Sequence, residues 1–158
     1  MVCLSAQWLG PWWDVWSLVT ALITARGLAD RVAAGGEPLG LTTDPRRVER
    51  TLANLIGNAV EHSGRDVTVR TGTDGAHGCI DVADGGPGIP PEHLPHVFER
   101  FYKADSARAG AGSGLGLAIA LENARLLGGN ISVSSDVAGG SVFRLTLPLG
   151  PAADVSEP

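Results

Sequence analysis

The sequence predicts an α/β two-layer sandwich in which a mixed, mostly antiparallel sheet is covered by about three helices. Three observations lead there. From Val48 to Val60 the apolar residues form one stripe at helical spacing. Runs of alternating apolar residues meet at glycine turns with no helix between them, which favours antiparallel pairing. Helices interleaved with those hairpins then cover the sheet.

The elements follow in chain order. Leu18, Leu22, Ile23, Leu28 and Val32 recur at roughly helical spacing, so a helix is expected over 16–33, stopping at Gly35-Gly36. Residues 39–43 read as a short strand. Asp44-Pro45 supplies an N-cap followed by proline at the first helical position. In the helix after it, Val48, Leu52, Leu55, Ile56, Ala59 and Val60 form the apolar stripe, with Arg50, Asn54, Asn58 and His62 at successive i, i+4 positions beside it. Val67 and Val69 alternate with polar residues, Asp74-Gly75 marks a hairpin turn, and Ile80 and Val82 alternate again before Asp84. A glycine- and proline-rich loop and an apolar-aromatic segment, 97–102, come next. Helical spacing returns over 115–127 and stops at Gly128-Gly129. Ile131 and Val133 lead to a second turn at Gly139-Gly140, before a strand carrying Phe143, Leu145 and Leu147. The expected organisation is a Trp-rich N-terminal segment (1–16), one folded domain (17–149) and a flexible tail (150–158).

Composition narrows the function. A chain of 158 residues, 44% apolar and 18% charged, has the make-up of one globular domain. Its formal charge of −5, with scattered arginines, argues against a nucleic-acid surface, and nucleic acid is not an expected partner. Cys3 and Cys79 can build neither a disulfide framework nor a zinc set and fit a reducing compartment, so a cytoplasmic location is expected. The start lacks a basic n-region and contains Pro11 and Asp14, which excludes a signal peptide pattern. The uncharged run 15–25 is too short to cross a bilayer, which needs about 20 apolar residues. Membrane association is therefore expected to be indirect only. Trp8, Trp12, Trp13 and Trp16 suit a packed helix or a docking surface.

Three constellations carry chemistry. In Asp84-Gly85-Gly86-Pro87-Gly88-Ile89, a strand-end carboxylate can accept from an exocyclic amine while glycine backbone lies against a flat ring; alone, the segment is also an ordinary turn. Gly110 to Leu117 leads small residues into a helix start, where exposed amides and positive potential suit a polyphosphate. It matches neither a Walker A loop nor a Rossmann fingerprint, and alone it also reads as a linker. Asn54 and Asn58 sit one turn apart beside a buried stripe, where a carboxamide oxygen suits Mg²⁺ and a solvated helix face is the plainer alternative.

Together these pieces resemble the sequence boxes of histidine kinase ATP-binding domains, in the family's order over residues 17–149. Asn54-Leu55-Ile56-Gly57-Asn58-Ala59 resembles the N box, Asp84 to Ile89 the G1 box, Phe98-Glu99-Arg100-Phe101-Tyr102-Lys103 the F box, and Gly112-Ser113-Gly114-Leu115-Gly116-Leu117 the G2 box; Gly140-Ser141-Val142-Phe143 resembles the final glycine box. The resemblance implies the Bergerat ATP-binding fold with ATP and Mg²⁺ as ligands. It also implies roles: Asn58 for the metal, Asp84 for the adenine amine, Ser141 assisting through water, and His62 beside the nucleotide. Gly86, Gly88 and Ile89 would line the base. Arg100, Tyr102 and Lys103 would lie near the phosphates, with the backbone of Gly112, Ser113, Gly114, Leu115, Gly116 and Leu117 beneath them. Asn54, Asn58, Arg100 and Lys103 are the candidate catalytic residues. Asn54 stands where related ATPases carry a water-activating glutamate, which implies weak hydrolysis, and 104–111 corresponds to the family's lid. Glu61 is acidic where some members carry a basic residue.

Complete kinases of this type place a helix hairpin with a phosphoacceptor histidine before the ATP domain. No such motif surrounds His62, His77, His93 or His96, which read as surface or site-wall residues. The expectation is a kinase acting on a histidine of a separate acceptor and dimerisation protein and, through it, on a response regulator. A serine kinase of the anti-sigma-factor type and a non-catalytic nucleotide-binding regulatory module remain as alternatives.

Overall fold

The computed structural model describes residues 13–64, 66–103, 114–137 and 139–150. Along the chain run β1 (Trp13–Asp14), α1 (Val15–Ala25), β2 (Val32–Gly36), β3 (Gly40–Leu41), α2 (Pro45–Ser63), β4 (Val67–Asp74) and β5 (His77–Asp84). After a 3₁₀ turn (Leu94–His96) come α3 (Gly116–Leu126), β6 (Asn130–Asp136) and β7 (Gly140–Pro148). The main sheet has the order β2-β4-β5-β7-β6, while β1 and β3 pair separately. Only β2–β4 is parallel; the other three ladders of the main sheet are antiparallel. The mixed, mostly antiparallel two-layer sandwich is thus the observed fold.

Helix α2 organises it. The Asp44 carboxylate accepts from the Arg46 amide at 2.9 Å, Pro45 opens the first turn, and Gly64 ends the helix in the left-handed region. Its stripe of Val48, Leu52, Leu55, Ile56 and Ala59 is buried against Val67, Val69, Ile80, Val82, Phe143 and Leu145. Truncating one such leucine to alanine costs about 2–5 kcal/mol. α1 contributes Val15, Val19, Leu22 and Ile23 to the same core, and α3 contributes Ala120 and Ala124. On the opposite sheet face Arg144 donates two bonds to Asp81, at 2.7 and 2.8 Å.

Two expectations need correction. The helix expected over 16–33 ends at Ala25: Gly27 turns into the left-handed region and Arg26 closes back on Leu22 O. Val32–Gly36 then leaves as a strand parallel to β4. Val32 keeps helical spacing with Leu28, but strand pairing with Val67 takes it into β2. The strand expected over 39–43 shrinks to Gly40–Leu41, paired with Trp13–Asp14, and the Trp13 indole N–H donates to Thr43 O at 2.9 Å.

One buried polar group stands apart. Asn123 on α3 is 8% exposed; its Oδ1 accepts from Arg47 at 3.3 Å, and its Nδ2 has no acceptor among the described residues. An unmade bond of this kind costs about 1–3 kcal/mol.

Candidate functional site

The site lies where one end of α2 meets the far ends of β5 and β7. Asn54 and Asn58 are half-buried on α2 and His62 is exposed one turn further on. Neither asparagine carboxamide has a hydrogen-bond partner among the described residues. A Cβ placed on Gly116 would lie 4.0 Å from Asn54 Oδ1, so the first residue of α3 faces the first asparagine. No side chain caps that helix start, which leaves its first amides available.

Asp84 ends β5 and pairs directly with Ser141 of β7. The Gly86 amide donates to Asp84 Oδ1 at 2.9 Å, an Asx turn that fixes the carboxylate and leaves Oδ2 without a partner among the described residues. Gly140, at φ 87°, brings its backbone so close that a Cβ there would stand 1.9 Å from Asp84 O. Gly88, at φ 75°, likewise lies against Asp136 O. These two contacts close the loop after β5 onto the β6–β7 turn.

Ser135 of β6 locks that closure, and the sequence reading did not single it out. Its hydroxyl accepts from the Ile89 amide at 2.7 Å, lies 3.0 Å from Gly140 O and 3.0 Å from the Ser141 hydroxyl. All three bonds are satisfied when Ser141 donates to Ser135 and Ser135 donates to Gly140 O. Serine in an alternating strand looks like a solvent-face residue, and only the cross-strand register reveals this role.

The aromatic segment is anchored by Phe98, whose ring meets Phe143 edge-on at 6.1 Å. Tyr102 hydrogen-bonds His93 Nδ1 through its hydroxyl, and the His96 ring lies 5.4 Å from its own. Both histidines, read from sequence as ordinary surface or wall residues, therefore brace Tyr102. Phe101 sits at φ 64° and its amide donates to Gly114 O at 2.9 Å, joining this segment to the approach to α3. Lys103 is exposed. The structure does not bring Arg100 to the asparagines: its guanidinium, 68% exposed, pairs with Glu122 of α3 at 3.3 Å. Gly112, Ser113 and the segment 104–111 lie outside the described residues; Gly114, Leu115, Gly116 and Leu117 lead into α3.

The donor set suits Mg²⁺ held jointly with a phosphate ligand. Among the described residues no cluster of three or more His, Cys, Asp or Glu could form a metal cage, while Asn58 offers a hard carboxamide oxygen with no competing partner.

Comparison with known proteins decides the family. The family model of histidine kinase-, DNA gyrase B- and HSP90-like ATPases matches residues 43–151. The chain belongs to this family. It is 47% identical over 146 residues to the signal transduction histidine-protein kinase AfsQ2 of Streptomyces coelicolor, covering 91% of this chain and 27% of that protein. It is 41% identical over 126 residues to the sensor histidine kinase MtrB of Mycolicibacterium paratuberculosis, covering 78% of this chain and 22% of that one. The chain thus spans about a quarter of the length of these relatives. Among solved structures, a mycobacterial sensor histidine kinase MprB superposes with a TM-score of 0.77 at 30% identity, over 87% of this chain and 97% of that one. Full-length ShkA in complex with AMPPNP superposes with a TM-score of 0.72 at 26% identity, over 93% and 33% respectively. No helix among the described residues of this histidine-kinase-type ATPase domain is long and apolar enough to cross a membrane.

Proposed function

We propose that this chain binds Mg–ATP in the cytoplasm and transfers the γ-phosphate to a histidine on a separate acceptor protein, which relays it to a response regulator. The observations that support the reading are two placements: Asn54 faces the uncapped start of α3, and Asp84 pairs with Ser141 across the β5–β7 ladder. On this reading the free Asp84 oxygen accepts from the adenine amine, and Ser141 supports the base through water. The Ile89 backbone, held by Ser135, walls one side of the ring. The opening amides of α3 would hold the phosphates. Asn58 would hold Mg²⁺, which when bound neutralises phosphate charge.

Transfer then needs positioning more than covalent help from this chain. The acceptor imidazole attacks phosphorus in line, the bond to the bridging oxygen breaks, ADP leaves, and a base on the acceptor protein takes the ring proton. Asn54 is a carboxamide and cannot activate water as a base, which fits transfer with little hydrolysis.

The test is incubation with γ-labelled ATP and candidate acceptor proteins, followed by acid treatment of the product. Acid-labile, base-stable label on the acceptor is expected. Acid-stable label would point to a serine kinase, and nucleotide binding with no transfer to any acceptor would point to a regulatory module.

A further inference from the structure

Beside Asn54, away from the adenine end, a groove of about 630 Å³ opens between α2, the end of α1 and α3. Arg26, Arg46, Arg47 and Arg50 line it, together with Asn54 and Asn123. Two carboxylates, Asp44 and Glu49, share the lining. Arg47 is engaged with Asp44 at 3.5 Å and with Asn123 Oδ1. The guanidinium groups of Arg26, Arg46 and Arg50 have no partner among the described residues. Asn123 enters the lining through its bond to Arg47, while its Nδ2 is closed off beneath the surface. A groove that gathers three unpaired guanidiniums on two helices suits a partner bearing several carboxylates.

We propose that this groove docks an acidic segment of the phosphoacceptor protein, a proposal that rests on the transfer reading for the identity of its partner. Arg46 and Arg50 stand one helical turn apart on α2, matching carboxylates spaced one turn apart on a partner helix. Guanidinium forks bind such carboxylates in pairs. A lone phosphate would reach only part of the cluster, which draws on both α1 and α2. A nucleic-acid backbone would meet the chain's overall charge of −5. Arg50, Asn54 and Asn58 follow one another at i, i+4 spacing, so a segment seated on Arg50 lies in line with the metal-binding end of the site. Docking there sets an imidazole on the same segment beside Asn54.

The test measures binding of fluorescently labelled decaglutamate to the full chain by anisotropy at low salt, with calorimetry of AMPPNP on the same preparations. Arg46→Gln/Arg50→Gln is expected to weaken decaglutamate at least fivefold, with AMPPNP affinity unchanged. Circular dichroism checks that the variant is folded; the arginines are exposed and outside the core. Absence of decaglutamate binding to the wild-type chain, or equal binding by the arginine variant, overturns the proposal. Equally tight binding of a ten-nucleotide single-stranded DNA overturns it in favour of nucleic acid, and displacement of the peptide by millimolar inorganic phosphate overturns it in favour of a small-anion site. Arginine-dependent peptide binding without any AMPPNP binding supports the groove and sinks the nucleotide reading, so the two failures are distinct.

Discussion

Asp84 and Ser141 face each other across the β5–β7 ladder, with the Gly140 backbone pressed onto the Asp84 carbonyl. One side chain is anchored by the Gly86 amide and the other by Ser135, so the pair is rigid before any ligand arrives. Asp84→Asn keeps an oxygen for Gly86 but loses the charge. The expected result is about 10- to 100-fold weaker binding of AMPPNP by calorimetry, the worth of a hydrogen bond to a charged group, with an unchanged urea midpoint.

Asn58→Ala removes the carboxamide proposed to hold the metal. Nucleotide binding should lose its dependence on Mg²⁺, read as equal affinities with and without the ion, while thermal stability stays within about 1 kcal/mol of wild type, since the side chain is only half-buried.

Ser135→Ala leaves the Ile89 amide without its acceptor. A loss of about 1–3 kcal/mol in urea unfolding is expected, together with weaker nucleotide binding. Ser135→Thr should restore both, because the hydroxyl returns; full nucleotide affinity in the alanine variant would rule out a positioning role.

Gly140→Ala should cost toward the upper end of the ~0.5–3 kcal/mol typical of point substitutions. Its Cβ would have to displace the Asp84 carbonyl at a backbone angle that side chains rarely adopt. The denaturant midpoint measures this. Ala at Gly35, where nothing lies within 4 Å of the added carbon, is the control for mere loss of glycine.

Arg144→Ala tests the opposite expectation. Asp81 raises the guanidinium's pKa through a hydrogen bond and charge attraction. Arg144 is nevertheless 48% exposed, and solvent screens the pair. The change should cost under about 1 kcal/mol and leave nucleotide binding untouched.

The sandwich was legible because its signals are local: the α2 stripe has a cap at each end, and alternation marks β4, β5 and β7 between glycine turns. The β2 strand was hidden because its partner, β4, lies beyond α2 in the chain, and pairing of that kind leaves no local period. At Gly88 and Gly140 the glycines serve close approaches of backbone to backbone. Ser135, His93 and Asn123 were invisible for another reason. Each matters through a neighbour brought close only by folding: Ile89, Tyr102 and Arg47 respectively.

The position of β7 has a consequence for biosynthesis. Among the described residues it is the latest strand in sequence, yet it sits inside the sheet, between β5 and β6. A growing chain that has emerged only as far as β6 has no Ser141 opposite Asp84 and leaves the flank of β5 bare. It therefore lacks the Asp84–Ser141 pair proposed to bind adenine, and it cannot shield that flank from association with other nascent chains. Competence for ligand and protection from aggregation arrive together, when the final strand slots into place.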